Sequence, residues 1–117
     1  MSPSAPDPAR GEIWYARFDP IVGREQGGDR PCLIVSDDRL NQSRAELVIV
    51  LPITRTERGI ASHIRVAPPA GGLRDISFIK CEDIRSISKQ RLKVRLGKVS
   101  AATLMEVEDR LRMLLSL

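Results

Sequence analysis

Apolar residues in this chain come in short runs cut by turn residues, and only the last stretch carries a helical period. That pattern restricts the chain to a small fold built mainly on a sheet. In residues 11–18, Ile13, Trp14, Tyr15 and Phe18 favour extended backbone, and Asp19-Pro20 stops the run. Residues 20–30 read as a loop, with Gly27-Gly28 free to turn sharply. Pro31 then opens an apolar strand through Cys32, Leu33, Ile34 and Val35. Residues 37–44 are polar, with room for one helical turn. Residues 47–53, mostly Val, Ile and Leu, form a second buried strand. A short strand over 63–66, a Pro-Pro-Ala-Gly-Gly loop over 68–72 and a strand over 76–81 follow.

Residues 91–96 alternate: Leu92, Val94 and Leu96 point one way, Arg91, Lys93 and Arg95 the other. From Arg85 to Lys98 there are six basic residues and no acidic one. A solvated outer face accounts for them; a stripe that tracks phosphates is the other reading. Ser100 is placed to cap a final helix, and Leu104, Val107, Leu111 and Leu114 give it one apolar face for packing on the sheet. Met105, Met113 and Leu115 widen that face enough to serve a dimer contact. The expected fold is mainly β with α, a small, strongly bent antiparallel sheet or barrel with a C-terminal helix.

At 117 residues the chain is one domain's worth, and 42% hydrophobic residues argue against disorder. Residues 1–10, with three prolines, read as a flexible tail and 11–117 as a single domain. No apolar run approaches the ~20 residues of a membrane span, and the tail lacks the look of a signal peptide. The expectation is therefore a cytoplasmic protein that contacts no membrane. Cys32 and Cys81 sit in apolar runs and read as buried, reduced thiols. Charge is uneven. Residues 1–50 carry six basic and eight acidic side chains, residues 51–117 thirteen and seven. A basic half suits a polyanion, nucleic acid above all.

Several chemistries are excluded. Gly27-Gly28 lacks the Lys-Ser/Thr of a phosphate-binding loop. One histidine and two distant cysteines cannot make a four-ligand zinc site, so neither metal nor cofactor is expected. His63, the sole histidine, cannot supply a two-imidazole nuclease within one chain. What remains is Arg30, held extended by Pro31 at the mouth of a strand, and Thr54, at the end of an apolar run. A solvated arginine and a strand-end cap explain both on composition alone.

Particular segments add to this. Gly11-Glu12-Ile13-Trp14 with Asp19-Pro20, and then Gly23-Arg24-Glu25-Gln26-Gly27-Gly28-Asp29-Arg30-Pro31 before an apolar strand, resemble the opening of MazF/PemK toxins. Pro52-Ile53-Thr54, His63-Ile64, Glu82-Asp83-Ile84-Arg85 and Gly97-Lys98-Val99 continue the resemblance in order to the chain's end. It implies an SH3-like β-barrel with helices, a homodimer, and sequence-selective cleavage of single-stranded RNA. It further implies a cognate antitoxin whose disordered acidic segment folds over the active groove. On this resemblance Arg30 and Thr54 are the catalytic pair, and Arg24, Gln26, Glu82, Asp83 and Arg85 contact RNA. Glu25 is the candidate acceptor for the proton of the attacking hydroxyl. Arg24 stands where Ser is common and Asp83 where Gln is common, so base preference cannot be carried over from a relative.

Two rivals use a similar scaffold without cutting RNA. A CcdB-like gyrase inhibitor resembles its relatives through a C-terminal Trp-Gly-Ile, whereas this chain ends Leu-Leu-Ser-Leu and its one tryptophan is Trp14. A noncatalytic SH3-like RNA-binding module would tolerate loss of Arg30 and Thr54 with only weakened binding.

Overall fold

The computed structural model describes residues 7–18 and 28–117. Seven strands form one antiparallel sheet: β1 (Glu12–Arg17), β2 (Asp29–Ile34), β3 (Leu47–Thr54), β4 (His63–Val66), β5 (Ser77–Lys80), β6 (Arg85–Ser88) and β7 (Leu92–Lys98). A one-turn helix α1 (Asp38–Asn41) follows β2, and α2 (Ala101–Leu115) closes the chain. The main path runs β4-β5-β3-β2-β1-β7. Its ends, β4 and β7, do not pair with each other among the described residues, so the sheet is not closed as the expected barrel would be.

β3 organises the sheet. One edge pairs with β2, at Cys32↔Pro52, Leu33↔Leu51 and Ile34↔Val50. The other edge is divided: Leu47 to Val50 pair with β6, and Ile53 and Thr54 pair with β5. Pro52, which has no N–H to give, stands where the partner on that edge changes. Both faces of β3 are packed, which is why it reads as a nearly continuous apolar run. Leu51 and Ile53 join a cluster with Ile13, Leu33, Ile79 and Val107. Val48 and Val50 join a second cluster on the opposite face, with Ala16, Cys32, Ile34 and Ile87.

α2 begins at Ser100, whose hydroxyl accepts the N–H of Thr103. Val107 is fully buried, and Leu104 and Leu111 pack on the first cluster. Leu114, expected in the same stripe, is instead 46% exposed, and Met105, Met113, Leu115 and Leu117 are exposed with it. Length accounts for this. The helix lies along β4 and the turn that follows β5. Fifteen residues span about 22 Å as helix, while four span about 13 Å as strand, so the last turn overhangs.

β7 departs from the expected alternation. Its ladder with β1 shifts register between Ile13 and Trp14 and again between Tyr15 and Ala16. Each bulge sends the following side chains to the other face. Leu92 consequently packs on the second cluster and Leu96 on the first, while Val94 is 52% exposed. β6 was not evident in the sequence either. A 3-10 turn at Ala70–Gly72 lies backbone to backbone on β7. A Cβ on Gly97 would sit 2.5 Å from the carbonyl carbon of Gly71, so the site admits only glycine.

Of the expected tail, residues 7–10 make defined contacts. Asp7 pairs with Lys89 at 2.7 Å, and Arg10 bonds Glu108 and the carbonyl of Val35. The carboxylate of Glu12, in β1, takes bonds from the Ala9 N–H, the Trp14 indole and Arg95. Partial burial pushes the Glu12 carboxyl up, but those bonds and the Arg95 charge outweigh it and leave it below its ordinary value. Cys32 and Cys81 are buried and unpaired; burial pushes their thiols up to about 12 and about 11. Among the described residues no helix is long and apolar enough to cross a membrane.

Candidate active site

Arg30 and Thr54, far apart in the chain, come together through strand register. The ladder between β2 and β3 pairs residue 32 with 52, and carrying it two steps further sets Arg30 opposite Thr54. Facing residues on neighbouring strands hold their Cβ atoms about 4.5–5.5 Å apart. Alternation fixes the face. Cys32 and Ile34 belong to the second cluster, so Arg30 shares their side of β2; Val48 and Val50 place Thr54 on that side of β3. Both residues line one groove of about 930 Å³ on this face.

The described groove lining is strongly cationic. Arg30, Arg58, Lys80, Arg85 and Arg91 contribute to it, against a single acid, Asp83. Such a concave, one-signed surface focuses field and attracts a polyanion. Asp83 and Arg85 are held in place: Arg85 bonds Asp83 at 2.8 Å, Lys80 reaches the same carboxylate at 3.4 Å, and the Arg85 guanidinium lies 5.2 Å from the Phe18 ring centre. The Thr54 hydroxyl accepts the N–H of Thr56 at 3.1 Å, which orients it and leaves its own proton to donate. A planar cation facing a fixed hydroxyl is suited to gripping a tetrahedral oxyanion. Arg30 also borders a second groove of about 670 Å³, with Tyr15, Arg55, Arg74 and Asp75.

The other expected site residues divide. Asp83 and Arg85 line the groove with Arg30 and Thr54. Glu82 does not. Its carboxylate accepts from Ser62 at 2.8 Å and meets Nε2 of the buried His63 at 2.9 Å, which ties the 3-10 turn Cys81–Asp83 to β4. Partial burial pushes the Glu82 carboxyl up, and the His63 and Ser62 bonds more than offset it, leaving it lowered. Arg24, Glu25 and Gln26 lie outside the described residues. Sequence reasoning missed Phe18, Arg58, Lys80 and Arg91. Phe18 and Lys80 carried a faint signal, each standing at the end of an apolar strand. No group of three or more His, Cys, Asp or Glu among the described residues is placed to hold a metal ion.

Residues 9–115 match the family model of the PemK-like, MazF-like toxins of type II toxin–antitoxin systems. The chain is 34% identical over 113 residues to the endoribonuclease MazF9 of Mycobacterium tuberculosis, covering 92% of this chain and 96% of the relative. It is 28% identical over 109 residues to the endoribonuclease EndoA of Bacillus subtilis, covering 92% and 94%. Among solved structures it is similar to MazF from Deinococcus radiodurans, at TM-score 0.81 and 28% identity over 97% of this chain and all of that one. It is equally similar to the MazE-MazF structure from that organism, at TM-score 0.81 and 26% identity over 97% and 99%.

Proposed function

Because the chain belongs to the PemK-like, MazF-like family of type II toxin–antitoxin toxins, we propose that it is an endoribonuclease that cuts single-stranded RNA at this groove. The observation that carries the reading is the meeting of Arg30 and Thr54 in one cationic cleft. The nucleophile is the substrate's own 2′-hydroxyl, so the reaction needs no metal to generate one, and DNA, which lacks that group, is not cut. Attack on the adjacent phosphorus expels the 5′-oxygen of the next nucleotide. The products are a 2′,3′-cyclic phosphate and a 5′-hydroxyl.

Arg30 clamps the scissile phosphate and stabilises charge that develops on its non-bridging oxygens, a task for which its planar fork suits it. Thr54 donates its hydroxyl proton to the same phosphate and fixes its orientation. Glu25 is the proposed acceptor of the 2′-hydroxyl proton. The remaining cations of the groove hold flanking phosphates. Cutting messenger RNA in the cytoplasm would stop translation and growth. The structure from Deinococcus radiodurans named MazE-MazF supports a further proposal, a cognate antitoxin whose acidic segment lies over this basic groove. A homodimer and an SH3-like description of the open sheet complete the reading.

The test is direct. The purified protein is incubated with a long RNA in EDTA, and the cut ends are mapped. Discrete cuts with 5′-hydroxyl termini support the proposal. Bound but intact RNA overturns it in favour of a noncatalytic RNA-binding module, and stalled gyrase complexes beside intact RNA favour a gyrase inhibitor.

A further inference from the structure

Which base lies beside the cut is written in the hydrogen-bonding groups of the groove wall. Lys80 ends β5, Asp83 sits in the turn after it, and Arg85 opens β6, so three charged side chains crowd one stretch of the wall. Both cations meet the same oxygen of Asp83. Arg85 Nη2 donates to Oδ2 at 2.8 Å, and Lys80 Nζ reaches Oδ2 at 3.4 Å. Oδ1 makes no hydrogen bond among the described residues. The Phe18 ring, 5.2 Å from the guanidinium, steadies Arg85 from beneath. The wall therefore presents one acceptor flanked by two cationic donors, in a groove with no other described acid.

The bases respond differently to such a wall. Cytosine offers one donor, its N4 amino group, followed by two acceptors, N3 and O2. Adenine matches the first two positions and has no third acceptor. Guanine and uracil place a carbonyl oxygen, O6 or O4, where the carboxylate would stand, and two acceptors repel. An amide in place of Asp83 would donate as well as accept; a carboxylate only accepts, so it discriminates more sharply. Acceptance from cytosine N4 is the usual contact of an acidic side chain with a base edge. We propose that Asp83, with Lys80 and Arg85 beside it, reads a cytosine next to the scissile phosphate. The proposal rests on the nuclease reading above and specifies its substrate.

The test uses the full chain and a pool of single-stranded RNAs of random sequence, with every 5′-hydroxyl end sequenced. Wild type enriches cytosine about ten-fold or more at one fixed position within about two nucleotides of the cut. In Asp83→Asn that enrichment disappears and uracil is accepted at the same position, while cutting continues. Wild-type cuts without cytosine enrichment overturn the assignment and leave the nuclease reading intact. So does an Asp83→Asn variant that slows every cut alike and keeps the wild-type preference, because Asp83 would then only brace its neighbours. A pool left uncut by wild type overturns both readings.

Discussion

Arg30→Ala removes one of five cations from the described groove lining and leaves Thr54, Lys80 and Arg85 in place. Arg30 is only partly buried near the start of β2, and Pro31 keeps the backbone there extended whatever side chain precedes it. The fold should lose no more than about 0.5 kcal/mol, as for substitutions away from the core. Chemistry loses far more. One donor aimed at charge developing in the transition state is worth roughly 2.7–4 kcal/mol, or ~10²–10³ in turnover. Binding loses one phosphate contact. If all five groove cations met phosphates, the log–log salt slope on single-stranded RNA would be about −3.5, and the variant's about −2.8. The assay is cleavage of a fluorescence-quenched RNA, with kcat and KM followed between about 50 and 200 mM salt, beside thermal melts. Expected are a kcat reduced a hundred- to a thousand-fold, a slope shallower by about 0.7, and an unchanged melt. Arg30→Lys restores the slope and not the rate, because an ammonium lacks the planar fork. Turnover indistinguishable from wild type in a folded Arg30→Ala protein would refute the phosphate clamp.

Three further outcomes are expected. Gly97→Ala drives a methyl against the backbone of Gly71 and Gly72 and should cost roughly 1–3 kcal/mol or more, read by urea titration; a neutral result would show that the Ala70–Gly72 turn can move away. Glu12 has a carboxyl held below its ordinary value of 4.5, so its contribution to stability is complete above that pH and disappears as pH falls through the lower folded value. Glu12→Gln should accordingly melt below wild type at pH 7 and approach it on acidification, and a gap that stays constant with pH would contradict the assignment. Cys32 and Cys81, pushed up to about 12 and about 11 by burial, should resist a thiol reagent at pH 8 until denaturant is added, and fast labelling of the native protein would disprove their burial.

The sequence makes β3 and the capped start of α2 plain because each is set locally. Residues 47–53 are apolar at successive positions, which a strand packed on both faces requires, and Ser100 stands one residue before a helical period. β7 misleads because its bulges depend on β1, a partner that alternation within one segment does not reveal. β6 was obscured by its charged and hydroxyl residues, since Ile87 alone of its four is buried. The catalytic pairing of Arg30 with Thr54 was visible only through family resemblance. Physically it arises from the register between β2 and β3, a tertiary property that neither strand encodes alone. Glu82 and Asp83, adjacent in sequence, part company in the same way: the short turn they share aims one at His63 and leaves the other on the groove wall.

A double-substitution cycle on Arg30 and Thr54, read as kcat for RNA cleavage, tests most directly whether the two side chains act on a single phosphodiester. With a shared phosphate, Arg30→Ala combined with Thr54→Ala should be scarcely slower than Arg30→Ala alone, since the first loss already removes most of what the second supports. If the two losses instead multiply in full, each side chain acts independently of the other, and the shared-phosphate mechanism is contradicted.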